Sequence, residues 1–187
     1  MIRLLCIAVL AISFAFSVHP AHADSGAASL ISTFESACIE SNGSQEFIRK
    51  WVHKEQFEEV TGTDARKLYA GTVNAGYAWF KQTKSTILIV AIRTPMNSCA
   101  VFSSKATQNT IMEYMEGLPR KFAGRWPIST NIKDDTRKEE FGTRRGRVIT
   151  FGTSREPVSV MITAIANEHP GGPYQATIQA GFSNPRK

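Results

Sequence analysis

Residues 76–104 read GYAWFKQTKSTILIVAIRTPMNSCAVFSS. The segment holds three β-rich runs, at 76–80, 86–93 and 99–104, which are separated by short polar turns. The middle run contains six consecutive apolar residues (87–92) and therefore has no polar face to turn towards water. These features predict a three-stranded antiparallel meander whose middle strand is central and buried on both faces.

Two helices are predicted before this meander. In residues 27–39, Phe34 and Cys38 lie four positions apart, which puts them on one helix face and turns Cys38 towards the core. The second helix is predicted to begin after Ser44, whose side chain suits an N-cap, and Gly62 is predicted to end this helix or its continuation. Its apolar face consists of Phe47, Ile48, Trp51 and Val52.

One more helix and a second set of strands are predicted after the meander. Thr107 suits the N-cap of this helix, and Gly117 followed by Pro119 suits its end. Residues 120–135 have no regular pattern and are interpreted as a loop. Four strand-like runs follow, at 136–141, 147–151, 158–166 and 174–182. The last of them alternates apolar with polar residues, which indicates one buried face and one wet face.

This order of elements indicates the α+β class. It comprises N-terminal helices, an antiparallel three-stranded meander, one helix, and a second antiparallel meander of three or four strands. No low-complexity stretch or linker rich in Pro and Ser divides the chain, so residues 24–187 are expected to form a single domain. Both halves run from helix to strands, but no residue-level repeat relates them.

Residues 1–23 have the organisation of a secretory signal peptide. Arg3 is followed by an apolar run (4–18) and then by the triplet Ala-His-Ala at 21–23, which matches the charged start, apolar middle and small-x-small cleavage site of such a leader. The run is shorter than the roughly 20 residues that a membrane-spanning helix needs. Cleavage after the triplet would leave a periplasmic or secreted protein that starts at Asp24 and has no transmembrane segment.

Cys38 and Cys99 are the two cysteines that remain once Cys6 is removed with the leader. In an oxidising compartment an isolated pair of this kind favours a disulfide. The alternatives are two buried thiols or half of a metal site. No Cys-x-x-Cys or His-x-x-x-His spacing accompanies the pair, which disfavours zinc. Neither a metal nor any other cofactor is expected.

The chain is basic, with 22 Lys and Arg against 16 Asp and Glu and a net charge of +6. Loss of the leader removes Arg3 and no acidic residue, which leaves a net charge of +5. Such a charge favours contact with anionic surfaces, for example phospholipid headgroups or acidic polymers. Because export separates the protein from nucleic acid, no nucleic-acid partner is expected.

Residues 34–118 carry a short sequence pattern. The pattern has three parts: Phe34-x-x-x-Cys38 in the first helix, Ala78-Trp79 in the first strand, and Cys99-x-Val101 entering a strand before a helix. In these features the chain resembles a loose class of small exported proteins and lipoproteins of Gram-negative bacteria. The class has no assigned activity, so the resemblance implies no catalytic residues. The chain lacks the lipid-accepting cysteine of the lipoprotein members.

Residues suited to catalysis are few. Two histidines remain after the leader is removed, His53 inside the second predicted helix and His169 in a turn rich in Pro and Gly (169–173). Neither belongs to a recognisable catalytic motif. A small secreted hydrolase would have to use His169 or His53 with an acid such as Glu168 or Asp64.

The basic run at 144–147 contributes three arginines, namely Arg144, Arg145 and Arg147. On a hairpin they would cluster at one end of the sheet, where guanidinium groups could contact an anionic partner. The alternative is a solvated strand end that blocks aggregation. The acidic pairs at 134–135 and 139–140 lack the stagger and the glycine of a calcium loop, so an exposed charged face is predicted there.

The leading functional hypothesis is a non-catalytic exported protein that acts by binding another protein or an envelope component. A small secreted hydrolase and an electrostatic binder of anionic lipid or polymer are the alternatives. A cleft that holds a histidine, an acid and a hydroxyl within hydrogen-bond reach would favour the hydrolase. Binding that weakens steeply as salt is raised would favour the electrostatic binder.

Overall fold

The structure is a computed structural model that describes residues 24–62, 76–93, 97–126, 131–140, 142–152, 160–170 and 174–183. The helices are α1 (Ser25–Thr33), which continues as a π-helical turn (Phe34–Ile39), α2 (Gln45–Lys54) and α3 (Gln108–Lys121). The strands are β1 (Glu58–Glu59), β2 (Tyr77–Gln82), β3 (Ile87–Arg93), β4 (Ser98–Ser103), β5 (Asn131–Glu139), β6 (Gly142–Phe151), β7 (Val160–Asn167) and β8 (Ala176–Phe182). The predicted leader lies outside the described residues.

The eight strands of the described residues form one open antiparallel sheet, in the order β1-β2-β3-β4-β8-β7-β6-β5. The chain therefore combines helices with an antiparallel sheet, but the two predicted meanders are not separate. Strands β4 and β8 pair, with Val101 opposite Ile178, and join the two meanders at the centre. This pairing links segments far apart in sequence, so no local pattern could reveal it. Among the described residues, helix precedes four strands in each half of the chain.

The three runs predicted from residues 76–104 are confirmed as β2, β3 and β4. Strand β3 lies between the other two, and its residues 88–92 are all buried. The prediction of a loop at 120–135 is wrong from Asn131 onwards, because β5 begins there. Strand β5 is exposed along its whole length. Its sequence therefore lacks the alternation of apolar and polar residues that identifies a half-buried strand.

The predicted ends of two helices are also wrong. Helix α3 begins after Thr107 as expected, but it passes through Gly117 and Pro119 to reach Lys121. Pro119 lies in the last turn, where its missing N–H costs one hydrogen bond, while Leu118 is buried against the core. Helix α2 begins after Ser44, which caps it as predicted, but it ends at Lys54 rather than at Gly62.

The three helices cover one side of the sheet, which we call the helix side. The largest fully buried side chains include Leu30 and Phe34 of the first helical segment, Ile48 of α2, Met115 of α3 and Phe151 of β6. The other side of the sheet, the back side, carries a smaller apolar cluster. Its buried members are Val60, Ala78, Ile89, Ala91, Ala100 and Phe102.

The N-terminus of α1 is tied to the N-terminus of α3 by one carboxylate. Asp24 Oδ1 accepts hydrogen bonds from the backbone N–H groups of Gly26 (3.1 Å) and Ala27 (3.0 Å), and Oδ2 accepts one from Thr107 N–H. Partial burial raises the pKa of Asp24, but these hydrogen bonds outweigh it and hold the pKa below its ordinary value. The two helices therefore start at a common anchor.

Cys38 and Cys99 form a disulfide, as predicted. Cys38 lies in the π-helical turn and Cys99 in β4, and their Cα atoms are 5.3 Å apart. Both side chains are fully buried. The bond fastens the helix layer to one of the two central strands of the sheet.

A candidate ligand-binding cleft

A cleft of about 300 Å³ opens on the helix side of the sheet, between α1, the end of α2, and strands β2 and β3. We call it the α1–β2 cleft. Its floor includes Leu88 of β3, and its walls carry hydroxyl, aromatic and charged side chains. A concave site of this size with a few convergent polar groups is the usual form of a small-molecule site.

One wall of the cleft is a row of hydroxyl groups. It consists of Ser29, Ser32, Thr33 and Ser36. These positions follow the spacing i, i+3, i+4 and i+7, so they share one side of the first helical segment, while Leu30 and Phe34 face the core. Ser32 Oγ donates to the carbonyl of Ser29 at 3.2 Å. Each hydroxyl can both donate and accept a hydrogen bond.

Another part of the lining is aromatic. Trp51 is half-buried on α2, and its ring centroid lies 5.6 Å from that of the buried Phe57. The two rings meet because the chain reverses just after α2, where Gln56 takes a left-handed conformation (φ 59°) and Phe57 N–H donates to Val52 O at 2.9 Å. The tight turn thus brings both aromatic rings into the lining of the cleft.

The cleft contains one basic and one acidic side chain, Lys81 and Glu55. Lys81 Nζ donates to the backbone carbonyl of Glu55 at 2.6 Å and lies 5.5 Å from the centroid of Phe57. The hydroxyl of Thr83 completes the lining, and it donates to Thr86 O at 2.8 Å. The formal charges of the lining residues therefore cancel.

The histidines proposed for a hydrolase lie on different elements. His53 is exposed on α2, and His169 is exposed just after β7. Glu168 accepts a hydrogen bond from Thr143 N–H at 3.0 Å, which holds the pKa of this carboxyl below its ordinary value. Asp64 lies outside the described residues. Within the described ranges, no group of His, Cys, Asp and Glu is arranged to hold a metal ion.

The three predicted arginines do not form a single cluster. Successive residues of a strand point to opposite sides of the sheet, so Arg144 projects to the back side, whereas Arg145 and Arg147 project to the helix side. Arg144 Nε lies 3.1 Å from Glu139 Oε1 and Arg144 Nη2 lies 3.9 Å from Asp135 Oδ2. The acidic residues of β5 are therefore exposed, as predicted, and Asp134, Asp135 and Glu139 each form an ion pair with an arginine.

Arg147 is partly buried and is held by two acids. It forms a two-pronged ion pair with Asp134 of β5, at 2.6 and 2.9 Å, and a third contact with Glu116 of α3 at 3.2 Å. The hydrogen bonds from Arg147 hold the pKa of Asp134 below its ordinary value. Since its side chain is only 13% exposed, Arg147 links β5, β6 and α3 rather than facing solvent.

The cleft was not predicted from the sequence, although one part of its lining has a recognisable sequence pattern. Residues 29–36 alternate core positions with hydroxyl positions at helical spacing, so a hydroxyl face opposite the apolar face could have been predicted. The contribution of Trp51 and Lys81 could not, because it depends on where α2 and β2 pack in the fold.

Comparison of the chain with models of protein families, with curated proteins and with solved structures found no match. Among the described residues, no helix is long and apolar enough to cross a membrane. The function is therefore argued from the cleft itself.

Proposed function

We propose that the protein is a non-catalytic exported binding protein that holds a neutral saccharide of the cell envelope in the α1–β2 cleft. The observation that carries the proposal is that four hydroxyl residues of the first helical segment and the half-buried Trp51 line the same open cleft.

A saccharide matches both the hydroxyl and the aromatic parts of the lining. A sugar ring has an apolar C–H face, which can lie against an indole ring, and a rim of hydroxyls that donate and accept hydrogen bonds. Trp51 supplies the apolar surface at low conformational cost, because an aromatic side chain has only two rotatable bonds. Ser29 and Ser36 supply groups that can act as donors or acceptors towards the rim.

The charge of the cleft favours a neutral ligand. Lys81 and Glu55 contribute one charge of each sign, so an anionic sugar would meet no excess of positive charge. The lining of the cleft therefore has no net charge, whereas the whole chain has a net basic charge that acts at longer range.

Isothermal titration calorimetry of the purified protein with neutral oligosaccharides tests the proposal. We expect Trp51→Ala to weaken saccharide binding at least tenfold, or about 1.4 kcal/mol, and Trp51→Phe to retain most of it. Phe47→Ala is the matched control, because Phe47 lies on the same helix, is 39% exposed and does not line the cleft.

Salt dependence distinguishes the proposal from the electrostatic alternative. Binding of a neutral sugar should be nearly the same at low and at physiological salt, because no ion pair with the ligand is screened. Binding restricted to anionic polymers, with a steep loss as salt is raised, would overturn the saccharide assignment. So would equal affinities of the Trp51→Ala and Phe47→Ala variants.

A further inference from the structure

Strand β5 is the edge strand furthest from the α1–β2 cleft. It pairs with β6 on one side, and its other side has no strand partner within the described part of the chain. All nine of its residues are exposed. An edge strand of this length presents a row of backbone N–H and C=O groups that can pair with another strand.

When the sequence of residues 133–139 of β5 is read backwards, each charge falls opposite a charge of the other sign in the sequence read forwards. From residue 133 to residue 139 the sequence is Lys-Asp-Asp-Thr-Arg-Lys-Glu. If a second β5 runs antiparallel with Thr136 opposite Thr136, every charged residue of this segment faces an opposite charge. The facing pairs are Asp135 with Arg137, Asp134 with Lys138, and Lys133 with Glu139.

We propose that two copies of this chain associate through β5, in an antiparallel pairing centred on Thr136. The two sheets then become one continuous sheet with a two-fold axis at the centre of the contact. A two-fold contact uses the same surface on both copies, so each complementary pair occurs twice. The helix sides of both sheets lie on the same side of the combined sheet.

Backbone geometry and charge together select this register. In an antiparallel ladder, every second residue directs its backbone N–H and C=O groups towards a given edge. The two β5 strands can therefore shift past each other only in steps that keep the residues with these groups opposite each other. Centring the contact on Asp135 would place that residue against itself and Lys133 against Arg137. Centring it on Arg137 would place Asp135 against Glu139. Both neighbouring registers bring like charges together, which is destabilising.

Two of the basic side chains needed for the contact have no ion-pair partner within their own chain among the described residues, and the acidic ones keep exposed surface. Lys133 and Lys138 form no ion pair or hydrogen bond among the described residues. Arg137 Nε lies 2.8 Å from Asp135 Oδ2 of the same strand. In the paired arrangement these two residues and their counterparts from the second copy form a group of four alternating charges on the back side of the sheet.

Sedimentation velocity of the purified protein over a range of concentrations tests the proposal. We expect a reversible dimer at low salt that weakens as salt is raised, because the facing charges are exposed. The double variant Lys133→Glu with Lys138→Glu places like charges opposite each other and should raise the dimer dissociation constant at least tenfold. Its melting temperature should stay close to that of the unaltered protein, since neither lysine has an ion-pair partner among the described residues of its own chain.

Two further variants isolate the register. Lys54→Glu with Lys84→Glu makes the same change in net charge at exposed positions away from β5, and it should leave the dissociation constant unchanged. Lys133→Glu with Glu139→Lys exchanges the charges of one facing pair and should restore most of the affinity that Lys133→Glu alone removes. A protein that stays monomeric at low salt at every concentration, or a dimer equally insensitive to both double lysine variants, would overturn the proposal.

Discussion

At the scale of single residues, the helix layer and the loop after β4 come very close together at Gly26. A Cβ atom at this position would lie 1.9 Å from the carbonyl oxygen of Lys105, and that oxygen belongs to the backbone. The adjacent Asp24 carboxylate links α1 to α3 at the same point. The absence of a side chain is therefore what lets the two helix starts share one anchor.

We expect Gly26→Ala to lower the free energy of unfolding by about 2 kcal/mol or more, because a backbone atom cannot move aside as a flexible side chain can. Urea denaturation measures the change. Gly117→Ala is the matched control: this residue also lies in a helix, but a Cβ there meets nothing within 4 Å. The control should raise stability by about 0.5–1 kcal/mol through helix propensity. Equal effects of the two substitutions would contradict the close approach.

At the scale of elements, the β5–β6 hairpin is attached to α3 through Arg147. Its contacts with Asp134 and Glu116 join two strands and a helix. Arg145 lies on the same side of the sheet and forms no hydrogen bond or ion pair with any described residue, although its charge also lowers the pKa of Asp134. The two arginines therefore contribute differently to the stability of the fold, although they belong to the same basic run in the sequence.

We expect Arg147→Ser to lower the free energy of unfolding by about 1–2 kcal/mol, since a two-pronged, partly buried ion pair is worth more than an exposed one. Arg145→Ser should change it by less than about 0.5 kcal/mol. Chemical denaturation at several pH values measures both. If the two variants are equally stable at neutral pH, the contacts of Arg147 that link β5 and β6 to α3 contribute nothing to the free energy of unfolding.

The effect of Arg147→Ser should also depend on pH. Asp134 has a folded pKa below its ordinary value of 3.8, so its ion pair adds stability at pH values above 3.8. That contribution is lost as the pH falls through the folded pKa. The difference between the unaltered protein and the variant should therefore shrink below about pH 4 and stay constant from there to neutral pH.

At the scale of the whole molecule, the β4–β8 pairing joins the two halves, and the disulfide cross-links the helix layer of the first half to one of the paired strands. Cys99 of β4 is bonded to Cys38 and lies opposite Ala180 of β8. The bond closes a loop with a sequence separation of 61, which contains α2 and the first strands. In the chain-entropy model a loop of this size gives roughly 4 kcal/mol of stabilisation.

We expect Cys38→Ala and Cys99→Ala each to lower the melting temperature, and the double variant to be no less stable than the worse single one. The reason is that the loss of either cysteine already removes the whole cross-link. Calorimetry of the three variants, together with a thiol assay of the native protein, checks this. Two reactive thiols in the native protein, or additive losses in the double variant, would count against the disulfide.

The sequence by itself determined the features that rest on neighbouring residues. The strand pattern of residues 76–104, the N-cap at Ser44 and the inward face of Phe34 and Cys38 follow from side-chain spacing, which is a local property. The disulfide was also predictable, because only one pair of cysteines remained to form it. Cleavage of the leader after residue 23 stays a prediction.

Only the tertiary structure decided how these elements meet. The pairing of β4 with β8, the separation of Arg144 from Arg147, and the cleft between α1 and β2 all depend on contacts between residues distant in sequence. Such contacts form because whole apolar faces must be buried together, and many sequences of the same local pattern could satisfy that need differently. Local spacing therefore predicted the helices and strands, whereas the cleft depends on how these elements pack.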